Sequence, residues 1–291
     1  MRLIWFCASG YSFFLGSIIL FLAIFMSLKF NRIWHKLLIY LATLNAVALV
    51  FLSATPLNSW FYALWIVSVV IWFFSVVFKK QRENKALKTI SFLAICLTVI
   101  ALSMELPFFF NPVVPVDKFE KLYIIGDSVS DGIGNTKELT WPVLLRKKYS
   151  INIVDLAMSG ATVKSAMKQV KKVTSEHSLV LLEIGGNDMF APTPYDLFEK
   201  DLANMLNILK NSDNTVVMLE LPLLPWRLEY GRIQRKLAKK YEVVLIPKIN
   251  FVSVLSVPGA SVDLAHLSEK GHRLMAEKIA QILPLNFVSQ D

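Results

Sequence analysis

Three long stretches of this chain carry almost no charge, and such stretches leave few ways to fold. Leu3 to Leu28 holds no charged residue, Leu37 to Phe78 holds none over 42 residues, and Thr89 to Phe110 holds only Glu105. A helix needs roughly 20 apolar residues to cross a ~30 Å hydrocarbon layer. The middle stretch is long enough for two crossings and is broken by Thr55-Pro56-Leu57-Asn58-Ser59, a tight polar turn. The expected spans are 3–28, 37–54, 60–78 and 88–108, a four-helix transmembrane region within residues 1–110.

The basic residues give these spans a direction. The first loop holds Lys29, Arg32 and Lys36, the third holds Lys79, Lys80, Arg82, Lys85 and Lys88, and the second holds none. Lys and Arg accumulate in cytoplasmic loops. Loops one and three are therefore expected in the cytoplasm, with everything after residue 110 on the far side. Trp34 and Trp60 fall at span ends, where indoles favour the interface. The first run reads as a retained span rather than a cleaved signal peptide. It is too long, one Arg precedes it, and no small-x-small site comes before Lys29. Glu105 reads as a carboxylate snorkelling to the outer interface, and the bundle as an anchor or partner-binding element.

The net charge of +9 is concentrated in the same region. Residues 1–116 carry 9 Lys/Arg against 2 Asp/Glu, whereas residues 117–291 carry 22 against 20. Nucleic-acid binding needs a basic patch on a folded domain, and this distribution gives no reason to expect one. Cys7 and Cys96 both lie in apolar runs and read as buried thiols. No His/Cys set has zinc spacing, so neither a metal nor a cofactor is expected.

Residues 111–118 begin with Asn111-Pro112-Val113-Val114-Pro115-Val116, which reads as a stiff linker. In residues 119–291, short runs rich in branched apolar residues alternate with amphipathic segments. The runs are Leu122–Ile125, Ile153–Leu156, Leu179–Ile184, Val216–Leu221 and Val243–Ile246. Helical patterns lie near 140–149, 161–174, 195–210, 229–241 and 268–283. Strands separated by crossover helices predict a parallel sheet covered on both faces, a three-layer α/β/α domain. Active sites of such sheets lie beyond the carboxyl ends of the strands. Ser128 follows strand one, Gly160 strand two and Asn187 strand three, while Asp263 and His266 precede the last helix.

Three strings at those places carry chemistry. Gly126-Asp127-Ser128 offers a nucleophile, Gly185-Gly186-Asn187-Asp188 an oxyanion donor, and Asp263-Leu264-Ala265-His266 a base with an orienting acid. Together they are the equipment for cleaving an ester through a covalent serine intermediate. Each string alone has a plainer reading, since a serine after a strand is commonly a helix cap. Asp127 and Asp188 read as turn aspartates bonded to nearby backbone. His35, His177 and His272 read as surface or packing residues. Only His266 has a carboxylate at the required offset.

Residues 119–285 resemble the SGNH hydrolase superfamily, the GDSL-type lipases and acylhydrolases, and most of all its thioesterase/lysophospholipase group. Gly126 to Gly132 is similar to the nucleophile block, Ser159-Gly160-Ala161-Thr162 to the glycine block, Gly185 to Asp188 to the asparagine block, and Asp263 to His266 to the acid–base block. Trp141-Pro142 and Leu237-Ala238-Lys239-Lys240-Tyr241 resemble that group too. The resemblance implies a flavodoxin-like fold. It implies Ser128 as nucleophile, His266 as base and Asp263 as its partner. It also implies an oxyanion hole made by the N–H groups of Ser128 and Gly160 and the Asn187 amide. Two positions depart from the family: Asp155 stands where Asn is common, and Leu267 where Pro is common.

The apolar loops Met189–Tyr195 and Pro222–Trp226 adjoin this site and are candidates for lining an acyl pocket. Two lysine- and arginine-rich helix faces, Lys164/Lys168/Lys171/Lys172 and Arg232/Arg235/Lys236/Lys239, read as solvated surfaces. The expectation is a membrane-anchored serine hydrolase acting on lipid, lysophospholipid or thioester acyl groups, with the bilayer as its other partner. The same chemistry also suits an O-acetylesterase or acetyltransferase acting on envelope polysaccharide. A third possibility is a non-catalytic membrane assembly protein.

Overall fold

A computed structural model describes residues 2–29, 33–78, 85–115, 119–133, 139–149, 151–263, 265–283 and 285. Arg32, Lys79, Lys80, Arg82, Val116 and Leu264, used above, lie outside the described residues. The chain divides into two compact units, Arg2–Phe109 with Leu224–Leu228, and Phe110–Leu223 with residues from Glu229 onward.

The first unit is helical: α1 (Arg2–Ala8), α2 (Tyr11–Lys29), α3 (Ile33–Leu52), α4 (Ser59–Phe78) and α5 (Lys85–Glu105). Among the described residues, four helices, Tyr11–Lys29, Trp34–Leu52, Ser59–Phe78 and Lys85–Phe109, are long and apolar enough to cross a membrane. The first apolar run is not continuous, contrary to expectation. It breaks between α1 and α2, where Gly10 has φ +89°, a backbone region that side chains with a Cβ rarely occupy. Glu105, read as a carboxylate at the outer interface, is fully buried in the structure. Polar groups inside the bundle bond one another, as in Trp65 Nε1–H to Thr98 Oγ1 at 3.0 Å and Trp72 Nε1–H to Ser27 Oγ at 3.3 Å.

The second unit is a parallel sheet with helices. Its elements are β1 (Leu122–Gly126), α6 (Ser128–Asp131), α7 (Trp141–Tyr149), β2 (Ile153–Asp155), α8 (Val163–Val170), β3 (Leu179–Glu183), α9 (Gly186–Phe190), α10 (Tyr195–Asn211), β4 (Thr215–Leu219), α11 (Leu228–Lys240), β5 (Val244–Ile246), α12 (Lys248–Leu255) and α13 (Glu269–Ile282). The strand order is β2-β1-β3-β4-β5 and every pairing is parallel. All residues of β1 and β3 are buried. A central parallel strand is covered on both faces, which is why these runs are continuously apolar rather than alternating. One helical layer pairs α8 with α10, and another pairs α13 with α7 and α12.

The order reverses between β1 and β3, the place where ligands bind in open α/β sheets. That switch point puts the ends of β1 and β3, and so Asp127–Ser128 and Gly186–Asn187, side by side. Near β4, one side chain read as part of a solvated basic face turns inward. Arg235 Nε lies 2.6 Å from the buried Glu220 Oε1. Burial works to raise the Glu220 pKa, but the charges of Arg235 and Lys248 outweigh it and leave it lowered.

Candidate active site

Ser128 opens the four-residue helix α6 directly after β1 and is largely buried. Asp127 caps that helix, its Oδ1 accepting the Val129 N–H at 3.0 Å. Burial pushes the Asp127 pKa up to about 6. The Val129 N–H and the positive charge of His266 pull against this, and the charge of Asp188 adds to it. Among the described residues, no hydrogen bond joins the Ser128 hydroxyl to His266.

His266 and Asp263 are held by a short excursion ahead of α13. Its base is pinned by Ser268 N–H to Ala260 O at 2.9 Å and Val262 N–H to His266 O at 2.9 Å. His266 Nδ1 lies 2.7 Å from Asp263 Oδ2. Asp263 Oδ1 also accepts the N–H groups of Ala265 at 2.7 Å and His266 at 2.8 Å. Burial of Asp263 works to raise its pKa. The hydrogen bonds from the His266 backbone and ring and from Ala265, with the charge of His266, overcome it and hold the group at about 2. Asp263 is thus an anion across the ordinary pH range. With Nδ1–H directed at it, Nε2 is the ring nitrogen that can accept a proton.

Gly160 sits in the exposed loop after β2 with φ +75°. A Cβ there would meet nothing within 4 Å. The glycine is therefore favoured by backbone conformation, not by close approach of a protein neighbour. Its loop is tied to the nucleophile helix by Ser159 N–H to Asp131 Oδ2 at 2.8 Å and to β1 by Met158 N–H to Gly126 O at 3.1 Å. Asp155, the departure from Asn, accepts the Ala157 N–H at 3.1 Å. Among the described residues, neither the Ser128 N–H nor the Gly160 N–H has a hydrogen-bond partner. Two donors for a developing oxyanion are thus available.

Asn187 is half-buried in the first turn of α9. Its Nδ2 donates to Asp127 Oδ2 at 3.1 Å and to Ala161 O at 3.0 Å. Asp188 accepts from Val163 N–H at 2.9 Å and from Thr193 Oγ1–H at 2.7 Å. His272 is buried, and its Nδ1 accepts the Trp141 N–H at 3.2 Å. His177 is exposed beside Asp213 at 3.0 Å.

Two further side chains bear on the site and were not singled out from sequence. Gln169 on α8 clasps Gly126, its Oε1 accepting the N–H and its Nε2 donating to the C=O, both at 3.0 Å. Glu183, the last residue of β3, lies beneath the nucleophile turn and accepts from Ser130 Oγ–H at 2.9 Å. A carboxylate interrupting the apolar run Leu179–Ile184 is the signal that could have pointed to it, since a buried polar group is costly unless bonded.

The model of the GDSL-like Lipase/Acylhydrolase family matches residues 124–274. Similar sequences include an arylesterase of Vibrio mimicus, 29% identical over 143 residues, with 44% of this chain and 70% of that protein covered. They also include thioesterase 1/protease 1/lysophospholipase L1 of Escherichia coli (strain K12), 30% identical over 142 residues, with 44% of this chain and 66% of that protein covered. Among solved structures, the crystal structure of TesA matches with TM-score 0.51 and 23% identity, covering 57% of this chain and 99% of that one. The psychrotrophic esterase EstA from Pseudoalteromonas matches with TM-score 0.50 and 17% identity, covering 56% and 96%. These two structural likenesses are likenesses of fold.

Proposed function

Because the chain belongs to the GDSL-like lipase/acylhydrolase family and is a carboxylic ester hydrolase, we propose that it cleaves acyl esters through a covalent intermediate on Ser128. Ser128 Oγ attacks the carbonyl carbon as His266 Nε2 takes its proton. Asp263 holds the ring in the required tautomer and stabilises the cation. The carbonyl oxygen becomes an oxyanion facing the N–H groups of Ser128 and Gly160 and the Asn187 amide. Collapse breaks the bond to the alcohol or thiol, which leaves with the proton from His266. Water then attacks the acyl-enzyme with His266 as base, releasing the acid and restoring Ser128.

The observation that carries this reading is the Asp263–His266 pair at 2.7 Å, in a domain whose switch point sets Ser128 and Asn187 side by side. The substrate class we favour is lysophospholipid, other lipid acyl esters and acyl thioesters. Apolar side chains beyond the strand ends support it, since Met158, in the loop before Gly160, and Phe190, the last residue of α9, expose about half their surface. The names of the relatives, an arylesterase and a thioesterase/lysophospholipase, point the same way. We place the chain as a multi-pass membrane protein with its hydrolase unit on the extracytoplasmic side. The four apolar helices and the basic loops read from sequence support this.

The test uses the full chain in detergent with a fluorophosphonate probe and a panel of esters and thioesters of graded acyl length. Wild type is expected to label and to turn over medium or long acyl groups. The Ser128→Ala protein is expected to do neither. Residual turnover in that variant above about a tenth of wild type contradicts the assignment, since loss of a triad nucleophile removes orders of magnitude. Turnover confined to acetyl esters and acetylated glycan moves the substrate to envelope polysaccharide.

A further inference from the structure

We propose that Glu183 is a positioning residue for the nucleophile turn, holding Ser128 from beneath through a single carboxyl oxygen. This rests on the reading of Ser128 as nucleophile. Glu183 ends β3 and is 3% exposed. Its Oε2 accepts from Ser130 Oγ–H at 2.9 Å and, at a longer 3.4 Å, from the Asp127 N–H. Those donors bracket Ser128, one residue before it and two after. The clamp therefore spans the residue whose position matters.

The first glycine of the turn is shaped around this clamp. A Cβ on Gly126 would lie 2.7 Å from Ser130 Oγ and 3.1 Å from Glu183 Oε2. Gly126 thus leaves open the space that the Ser130–Glu183 pair fills, while Gln169 holds its peptide groups. From Asp127 the hold extends to the Asn187 amide. One buried side chain is in this way linked to both the nucleophile and a candidate oxyanion donor. A leucine at the end of β3 would suit a buried strand and would offer neither donor an acceptor. Burial, and then the charge of Asp127, hold the Glu183 pKa well above the usual carboxylate range. The hydrogen bonds from Ser130 and the Asp127 N–H pull against this. A glutamine has the same shape and keeps a carbonyl oxygen that can accept both donors.

The experiment measures kcat and KM of the full chain in detergent on p-nitrophenyl butyrate, with thermal unfolding alongside, for Glu183→Ala, Glu183→Gln, Ser130→Ala and Ser128→Ala. Glu183→Ala is expected to lower kcat on the order of 10²-fold, the scale of a roughly 1 Å misplacement, with KM little changed. Glu183→Gln should stay within about threefold of wild type, since the amide oxygen accepts the same donors. Wild-type kcat in a folded Glu183→Ala, equal losses in the alanine and glutamine variants, or a loss expressed in KM alone overturns the proposal. If Glu183→Ala does not fold, Ser130→Ala decides. A kcat loss at unchanged KM supports the clamp, and an unchanged kcat overturns it. Activity lost in Ser128→Ala but intact in Glu183→Ala sinks this inference alone. Activity surviving Ser128→Ala sinks the reading of the nucleophile as well.

Discussion

The side-chain amide of Asn187 spends both of its N–H bonds inside the protein, one on the Asp127 carboxyl at 3.1 Å and one on the Ala161 carbonyl at 3.0 Å. Asp127 adjoins the candidate nucleophile and Ala161 adjoins Gly160. The amide therefore ties together the turn that carries Ser128 and the loop that carries Gly160. To serve an oxyanion it must share one of these protons with the new acceptor. A charged oxygen competes well for it, because bonds to ionised acceptors are roughly twice as strong as neutral ones.

Asn187→Ala is expected to lower kcat by about 10²–10³, the usual cost of losing one oxyanion donor, with KM little altered. Steady-state kinetics on one ester series checks this. A loss below about tenfold assigns the amide to holding the loops, not to the transition state.

Asp263→Asn keeps the shape of the side chain but removes the charge that fixes the ring tautomer. A fall in kcat toward 10⁴ is expected, the scale this change reaches in acid–base–serine triads. Because the wild-type carboxyl is held at about 2, it remains ionised through mild acid. Any acid decline of the wild-type rate therefore has another origin, and protonation of Asp263 plays no part in it. Kinetics of both proteins between pH 4 and 8 decide the matter.

Asp127 gives a stability signature of definite sign. Its pKa rises from 3.8 to about 6 on folding, burial being the main cause. The native state therefore binds more protons than the unfolded state within that window. The associated stability is present below about 3.8 and is lost as pH climbs through about 6, a change of roughly 3 kcal/mol. Glu183, also raised, adds the same sign. Unfolding midpoints of wild type minus Asp127→Asn should fall between pH 4 and 7. A constant difference contradicts the raised value.

Much of the hydrolase unit was legible because its physics is local. Leu122–Gly126 and Leu179–Glu183 are buried on both faces and so read as unbroken apolar runs. Ser128, Gly160 and Asn187 were read as candidates because they follow strands, and Asp263 and His266 because they precede the last helix. What stayed hidden depends on partners distant in sequence. The helix Lys248–Leu255 begins with a lysine that is buried, against every composition rule for surface helices, because Glu220 across the sheet end supplies the opposite charge. Glu105 lies buried for reasons that no count of apolar residues reveals. Gln169 resembles any polar residue on an amphipathic helix until the strand it clasps is known.

Gly271→Ala tests how firmly the acid–base excursion is seated. A Cβ at this position on α13 would lie 1.9 Å from the Ala260 carbonyl oxygen, a backbone atom that itself accepts the Ser268 N–H. The excursion must shift to admit the methyl. A stability loss of about 1–3 kcal/mol is expected from overpacking, with a kcat loss larger than any change in KM. Thermal unfolding and steady-state kinetics measure the two effects. A variant with wild-type kcat shows that the seat can move without disturbing the chemistry.

Asp263 and His266, the candidate acid and base, stand three positions apart and are fastened to each other by ring and main chain alike. They form a self-contained cassette whose internal alignment owes little to the sheet beneath it. Were the excursion to shift, the carboxylate and the imidazole would move as one piece, with the ring proton held on the same nitrogen. Adjustment of position would then fall to the stem of the excursion, and alignment of the pair to its tip.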